Sequence, residues 1–158
     1  MKRIIFILVV MASFQATAQL TLESGKYIHQ KIVRVEGDKV ELYRKAQAFA
    51  ENRFSGSEHK IYSLEAENKI RIKATQEHEL DGMPNAVSYT LVIECLDGMY
   101  RETVKDLTYR TKGKVYVLED KKLKAKKKII PDLDGEFQVI SESLKTSMYG
   151  EMMAQKQP

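Results

Sequence analysis

Residues 89–101 read YTLVIECLDGMYR, and the fold is decided there. Alternation puts Tyr89, Leu91, Ile93 and Cys95 on one face of an extended segment, as a half-buried strand requires. Asp97-Gly98 then gives a hairpin signal, because a two-residue loop needs backbone conformations that Asp and Gly adopt cheaply. The return strand runs from Met99 to about Tyr109.

Upstream of the hairpin, residues 60–66 and 69–79 read as two more strands joined at Glu67-Asn68. In the second, Ile70, Ile72 and Ala74 alternate with Arg71, Lys73 and Thr75. Residues 81–85 (DGMPN) are a cluster of turn formers. Residues 26–36 form a further strand, with Ile28, Ile32, Val33 and Val35 implying one change of phase. Gly37 ends it. Asp38 stands three residues before Glu41, the spacing of a capping box, and Tyr43, Ala46, Gln47, Ala50 and Phe54 follow at helical intervals. The pattern predicts a helix over about 38–54, then a loop at Ser55-Gly56-Ser57.

Downstream, residues 115–118 have the composition of a short additional strand. Residues 121–128 hold six lysines, and Pro131 with Asp132 and Asp134 closes that stretch. Asp134 reads as the cap of a last helix, marked by Phe137, Ile140, Leu144 and Met148. The tail from Met153 reads as frayed. The order β-α-β-β-β-β-α calls for an α+β fold, an antiparallel sheet of about five strands with two helices packed on one face. A content of 43% hydrophobic residues excludes a disordered chain, and a single Cys excludes a disulfide-stapled one.

The first 18 residues read as an address. Lys2 and Arg3 precede the apolar run Ile4 to Phe14, and Ala16-Thr17-Ala18 supplies the small residues of a cleavage site before Gln19. The run holds 11 residues, whereas a spanning helix needs about 20. A secretory signal over 1–18 is therefore expected, with cleavage between Ala18 and Gln19 and a single domain over 19–158. The product is periplasmic or secreted, without a transmembrane span, and not a lipoprotein, since the only Cys is at 95. Without Lys2 and Arg3, 24 basic residues face 22 acidic ones, so the net charge falls to +2.

Several segments together resemble a bacterial family of exported domains of unknown function with a TATA-box-binding-protein-like (TBP-like) fold. They are the leader ending Ala18-Gln19, residues 35–49 (VEGDKVELYRKAQAF), residues 89–101 with the IEC-DG-YR pattern, residues 104–109 (VKDLTY), and the Lys-rich connection over 111–130 before a terminal helix. The likeness covers about residues 26–150. It implies a curved antiparallel sheet with both helices on one side, and it implies no activity. DNA binding belongs to a distant user of the fold and does not transfer.

Chemistry-bearing residues are sparse. Cys95 would need an electropositive setting to be nucleophilic, and its strand-face neighbours are Tyr89, Leu91 and Ile93. Ser57 and Lys60 match S-x-x-K, but the companion signatures of acylating enzymes are absent. His78-Glu79 has no second His four residues on, and Asp132-Leu133-Asp134-Gly135 lacks the remaining acids of a calcium loop. No metal or cofactor is expected. Lys121, Lys122, Lys124, Lys126, Lys127 and Lys128 form the largest charge feature, either a solvated, mobile connection or a patch for an anionic partner. No aromatic residue lies among them, which disfavours nucleic acid. The reading is a non-catalytic binding module of the cell envelope, taking an envelope protein, peptide or small ligand. The alternatives are a small hydrolase using Ser57 or Cys95, and a self-associating structural component.

Overall fold

The structure, a computed structural model, describes residues 19–150. The leader, the Ala18 side of the cleavage point and the tail from Met153 lie outside the described residues; Gln19 is exposed at their start. Among the described residues seven strands form one antiparallel sheet. They are β1 (Leu20–Glu23), β2 (Lys26–Arg34), β3 (Lys60–Leu64), β4 (Lys69–Leu80), β5 (Met83–Leu96), β6 (Met99–Thr111) and β7 (Lys114–Val117). The helices are α1 (Lys39–Arg53) and α2 (Lys126–Tyr149). Spatial order is β1-β2-β6-β5-β4-β3, and β7 pairs with the part of β6 that β2 does not reach. The expectation of about five strands is thus corrected: β1 was not foreseen, and residues 115–118 form most of β7.

Both helices pack on one face. The inward residues are Ile70, Ile72 and Ala74 on β4, Tyr89, Leu91, Ile93 and Cys95 on β5, and Tyr100, Val104, Leu107 and Tyr109 on β6. Val104 and Leu107 are three apart, yet both point inward. Between the pairs Thr90–Lys105 and Ser88–Thr108, Asp106 and Leu107 oppose Tyr89 alone, and Asp106 takes φ +56°. This bulge resets the strand's phase.

The change of phase expected in β2 is absent. His29, Val33 and then Val35 are buried in one continuous alternation, while Ile32 is 61% exposed on the open face. His29 and Lys31 take inward positions because α2 offers them polar partners. Lys31 Nζ lies 3.1 Å from both Ser141 Oγ and Glu142 Oε1, and His29 Nδ1 lies 3.5 Å from Asp134 Oδ1.

Helix α1 begins as expected, with Asp38 Oδ1 accepting from the amides of Val40 and Glu41 at 2.9 Å each. Glu41 does not reach back as a capping box would; it pairs with Lys45 at 2.8 Å. Leu42, Tyr43, Ala46, Phe49 and Ala50 form the buried face, and Gln47 turns out to bond Glu51.

Helix α2 starts eight residues before the expected cap, at Lys126, and runs through Pro131. Asp134 is therefore not a cap. Ile129 and Leu133 extend the stripe of Phe137, Ile140, Leu144 and Met148 by two turns, and all six are buried. Pro131 forfeits one hydrogen bond near the helix start. Burial of Ile129 and Leu133, each contributing about 1.5–3 kcal/mol, outweighs that loss.

Candidate functional site

The Lys-rich connection is held in place at both ends. Leu118 is fully buried and Leu123 nearly so. Between them Asp120 N donates to Val117 O at 3.0 Å, Leu123 N to Asp120 O at 3.1 Å, and Lys122 N to Asp120 Oδ1 at 2.8 Å. Ala125, at φ +63°, then turns the chain into α2. Lys128 Nζ straps the new helix to the β4–β5 turn through Asp81 Oδ1 and Oδ2 at 3.1 and 3.0 Å. The segment is a turn with buried anchors, and Lys121, Lys122, Lys124, Lys127 and Lys128 on it are exposed.

Folding back in this way, residues 122–125 wall a cleft of about 320 Å³ at the end of the sheet. Leu80, Met83, Asn85, Tyr109 and Tyr116, from four successive strands, line the side opposite, and Ile129 of α2 closes it. Two of the six lysines singled out in the sequence, Lys122 and Lys124, line the cleft. Lys121, Lys126 and Lys127 do not, and Lys128 is committed to Asp81. Lys112, in the β6–β7 turn, joins the rim, although the sequence reading had not grouped it with the others. Lys112, Lys122 and Lys124 make no ion pair among the described residues. No side chain caps α2, and its first turn holds three lysines and no acid, so the partial positive charge of the helix end adds to theirs.

Asn85, which lines the cleft, carries one polar atom without a partner among the described residues. Asn85 is 5% exposed; its Nδ2 donates to Met83 O at 2.8 Å, while its Oδ1 is buried with no hydrogen bond among the described residues. An orphaned acceptor of this kind costs about 1–3 kcal/mol unless something donates to it.

A second polar cluster adjoins the cleft through Tyr109, whose hydroxyl lies 2.8 Å from His78 Nδ1. His78 Nε2 is 3.9 Å from Asp132 Oδ2 and 4.0 Å from Glu136 Oε1, and Gln76 Nε2 donates to Glu136 at 3.1 Å. Burial pushes the Glu136 carboxyl up, against the pull of His78. Burial, then Asp132 and Glu136, push the Tyr109 hydroxyl up as well. Among the described residues no group of three or more His, Cys, Asp or Glu is placed to hold a metal.

The residues weighed for hydrolysis stand apart. Ser57 is exposed in the α1–β3 loop and makes no hydrogen bond to Lys60. His59 Nδ1 accepts from Thr75 N at 3.4 Å, and its Nε2 lies 3.4 Å from Glu58. Cys95 is buried, and burial pushes its thiol up to about 12, away from thiolate chemistry. Among the described residues no base makes a hydrogen bond to the Ser57 hydroxyl or the Cys95 thiol.

The model of the domain of unknown function DUF4468, described as having a TBP-like fold, matches residues 29–110. The chain belongs to this family. That span runs from His29 in β2 to Arg110 in β6, so it includes Leu80, Met83, Asn85 and Tyr109 of the cleft but not its lysine wall. Two solved structures share the DUF4468 fold seen here. A TBP-like protein from Parabacteroides distasonis superposes with a TM-score of 0.69 at 17% identity, covering 80% of this chain and 97% of its own. A DUF4468 family protein from Bacteroides ovatus gives 0.63 at 15% identity, covering 82% and 91%. At such identities the likeness is one of fold. Among curated proteins nothing matches the chain.

Proposed function

We propose that this DUF4468 domain is an exported, non-catalytic binding module of the cell envelope, with the cleft at the sheet end as its ligand site. The observation that carries this reading is an apolar cleft lined by Asn85, whose buried Oδ1 has no partner among the described residues, and rimmed by three lysines that make no ion pair among them. Ligand sites are typically concave and mostly apolar, with a few placed polar groups, and this cleft has that composition. Export is supported by the n-region Lys2-Arg3, the short apolar run and Ala16-Thr17-Ala18. No helix among the described residues is long and apolar enough to cross a membrane.

Two measurements test the parts separately. The denatured mass of protein recovered from the envelope fraction reads cleavage before Gln19; an intact leader ends the export reading. Amide shift mapping of the isotope-labelled chain against a set of small soluble fragments reads the site. Shifts gathered on Asn85, Tyr109, Tyr116, Leu123 and Ile129 support the cleft, and shifts gathered elsewhere move the site.

A further inference from the structure

We infer that the cleft takes a short peptide segment that combines a large apolar side chain, a backbone N–H donor and a carboxylate. This inference rests on the cleft being the ligand site and goes further by naming the ligand's chemistry.

Three features of the cleft each ask for one part of such a segment. The walls supplied by Leu80, Met83, Leu123 and Ile129, with the rings of Tyr109 and Tyr116, suit an apolar body. A cleft of about 320 Å³ stands at the small end of ligand sites and fits one large side chain with its backbone. Asn85 Oδ1, buried and without a partner among the described residues, asks for a donor. A fatty-acid carboxylate has no donor to offer, whereas every non-proline peptide unit carries an N–H.

At the rim the ammonium groups of Lys112, Lys122 and Lys124, which make no ion pair among the described residues, ask for an anion. Asp81, the one acid among the described residues that line the cleft, is already held by Lys128 at 3.0 Å. The carboxylate could be an internal Asp or Glu or a free C-terminus; both present the same group to the lysines.

The test is titration of four probes into the isotope-labelled chain, read at the cleft amides. They are acetyl-Gly-Phe-Glu-Glu-amide, acetyl-Gly-Gly-Phe with a free C-terminus, acetyl-Gly-Phe-Lys-Lys-amide, and octanoate. At least one of the two acidic peptides should move the cleft residues and bind at least tenfold more tightly than the lysine peptide. Whichever acidic peptide binds shows which source of carboxylate the lysines read. The double substitution of Lys122→Glu and Lys124→Glu, at exposed positions, should abolish the tenfold preference while leaving the fold's amide spectrum intact. Replacing the Phe amide of the binding peptide with an ester, which deletes the N–H offered to Asn85, should weaken it several-fold. Octanoate moving the cleft amides while neither acidic peptide does would overturn the peptide inference and leave the ligand site standing. If no probe moves them, both fall.

Discussion

Gly98 donates its amide to the carbonyl of Gly37 at 2.9 Å, and Gly98 in turn accepts from Val35 N at 3.1 Å. The β2–α1 turn is thereby clipped to the β5–β6 hairpin. Asp97 Oδ1 completes the clip by accepting from Lys39 N at 2.9 Å, while Asp38 caps the same helix. Two of the segments through which the sequence resembles its family, VEGD and CLDG, are thus the two halves of one contact.

Gly37 should be the less replaceable of the pair. It sits at φ +128°, where an added Cβ would lie 3.1 Å from Glu41 Oε2 and 3.3 Å from Leu42 Cδ2. Leu42 is fully buried and cannot give way. Gly98, at φ +75°, would meet nothing within 4 Å. Gly37→Ala should cost about 2–3 kcal/mol and Gly98→Ala about 1–2 kcal/mol, the cost of a left-handed residue alone. Urea unfolding of both variants checks this, and equal losses would mean that the Leu42 contact is unimportant.

The elements legible in the sequence were those whose signal is local. Alternation in β4 and β5, the Asp38 cap and the Asp97-Gly98 turn each depend on residues a few positions apart. The phase of β2 was not legible, because Lys31 is held inward by Ser141 and Glu142, more than a hundred residues away. The start of α2 was hidden for another reason: Pro131 and two acids suggested a boundary, although Ile129 and Leu133 already continued the apolar stripe. That stripe was the signal that could have found it. The cleft could not be read at all. Its residues alternate innocently along four strands and meet only when the connection folds back over them. Lys122 and Lys124 were picked out as charge, but nothing local joins them to Asn85.

Asp134 shows what the misplaced helix start concealed. Its Oδ1 accepts from the amide of Leu20 at 2.7 Å, tying α2 to the first strand. Asp134→Ala leaves that amide without its acceptor and should cost about 1–3 kcal/mol. Asp134→Asn keeps an acceptor oxygen and should recover most of the loss. Hydrogen exchange at Leu20 tells this tie from a general packing effect. It should accelerate in the Ala variant more than exchange at the β5 amides does.

The polar row under α2 sets opposing pH dependences. Burial pushes the Glu102 carboxyl above its ordinary value of 4.5, against the pull of Ser141 and Lys31. A raised carboxyl contributes stability that is full below pH 4.5 and is lost as pH rises through its folded-state value. Glu102→Gln, neutral throughout, should match the parent at low pH and exceed it increasingly as pH rises. Burial outweighs Asp134's attraction and lowers His29 below 6.5, so its contribution is present above that pH and is lost as pH falls. His29→Gln should therefore lose ground to the parent above pH 6.5 and regain it below. Denaturant midpoints between pH 4 and 8 for the three proteins decide both. Parallel curves would remove Glu102 and His29 as sources of the dependence.

Cys95 separates the binding reading from the hydrolase one. Its thiol is buried on the helix face of β5 and pushed up to about 12, so almost none is thiolate at neutral pH. In the folded protein it should resist a thiol-reactive reagent and should react at once in denaturant. Cys95→Ser, which buries a hydroxyl among apolar side chains, should cost about 1–3 kcal/mol, as expected of a small core residue. Ser57→Ala, at an exposed loop position, should be within about 0.5 kcal/mol of the parent. Parent, Ser57→Ala and Cys95→Ala proteins should all hydrolyse broad ester and peptide substrates at the same background rate. A rate that falls in either Ala variant, with the fold intact, would establish a hydrolase and set the binding-module reading aside.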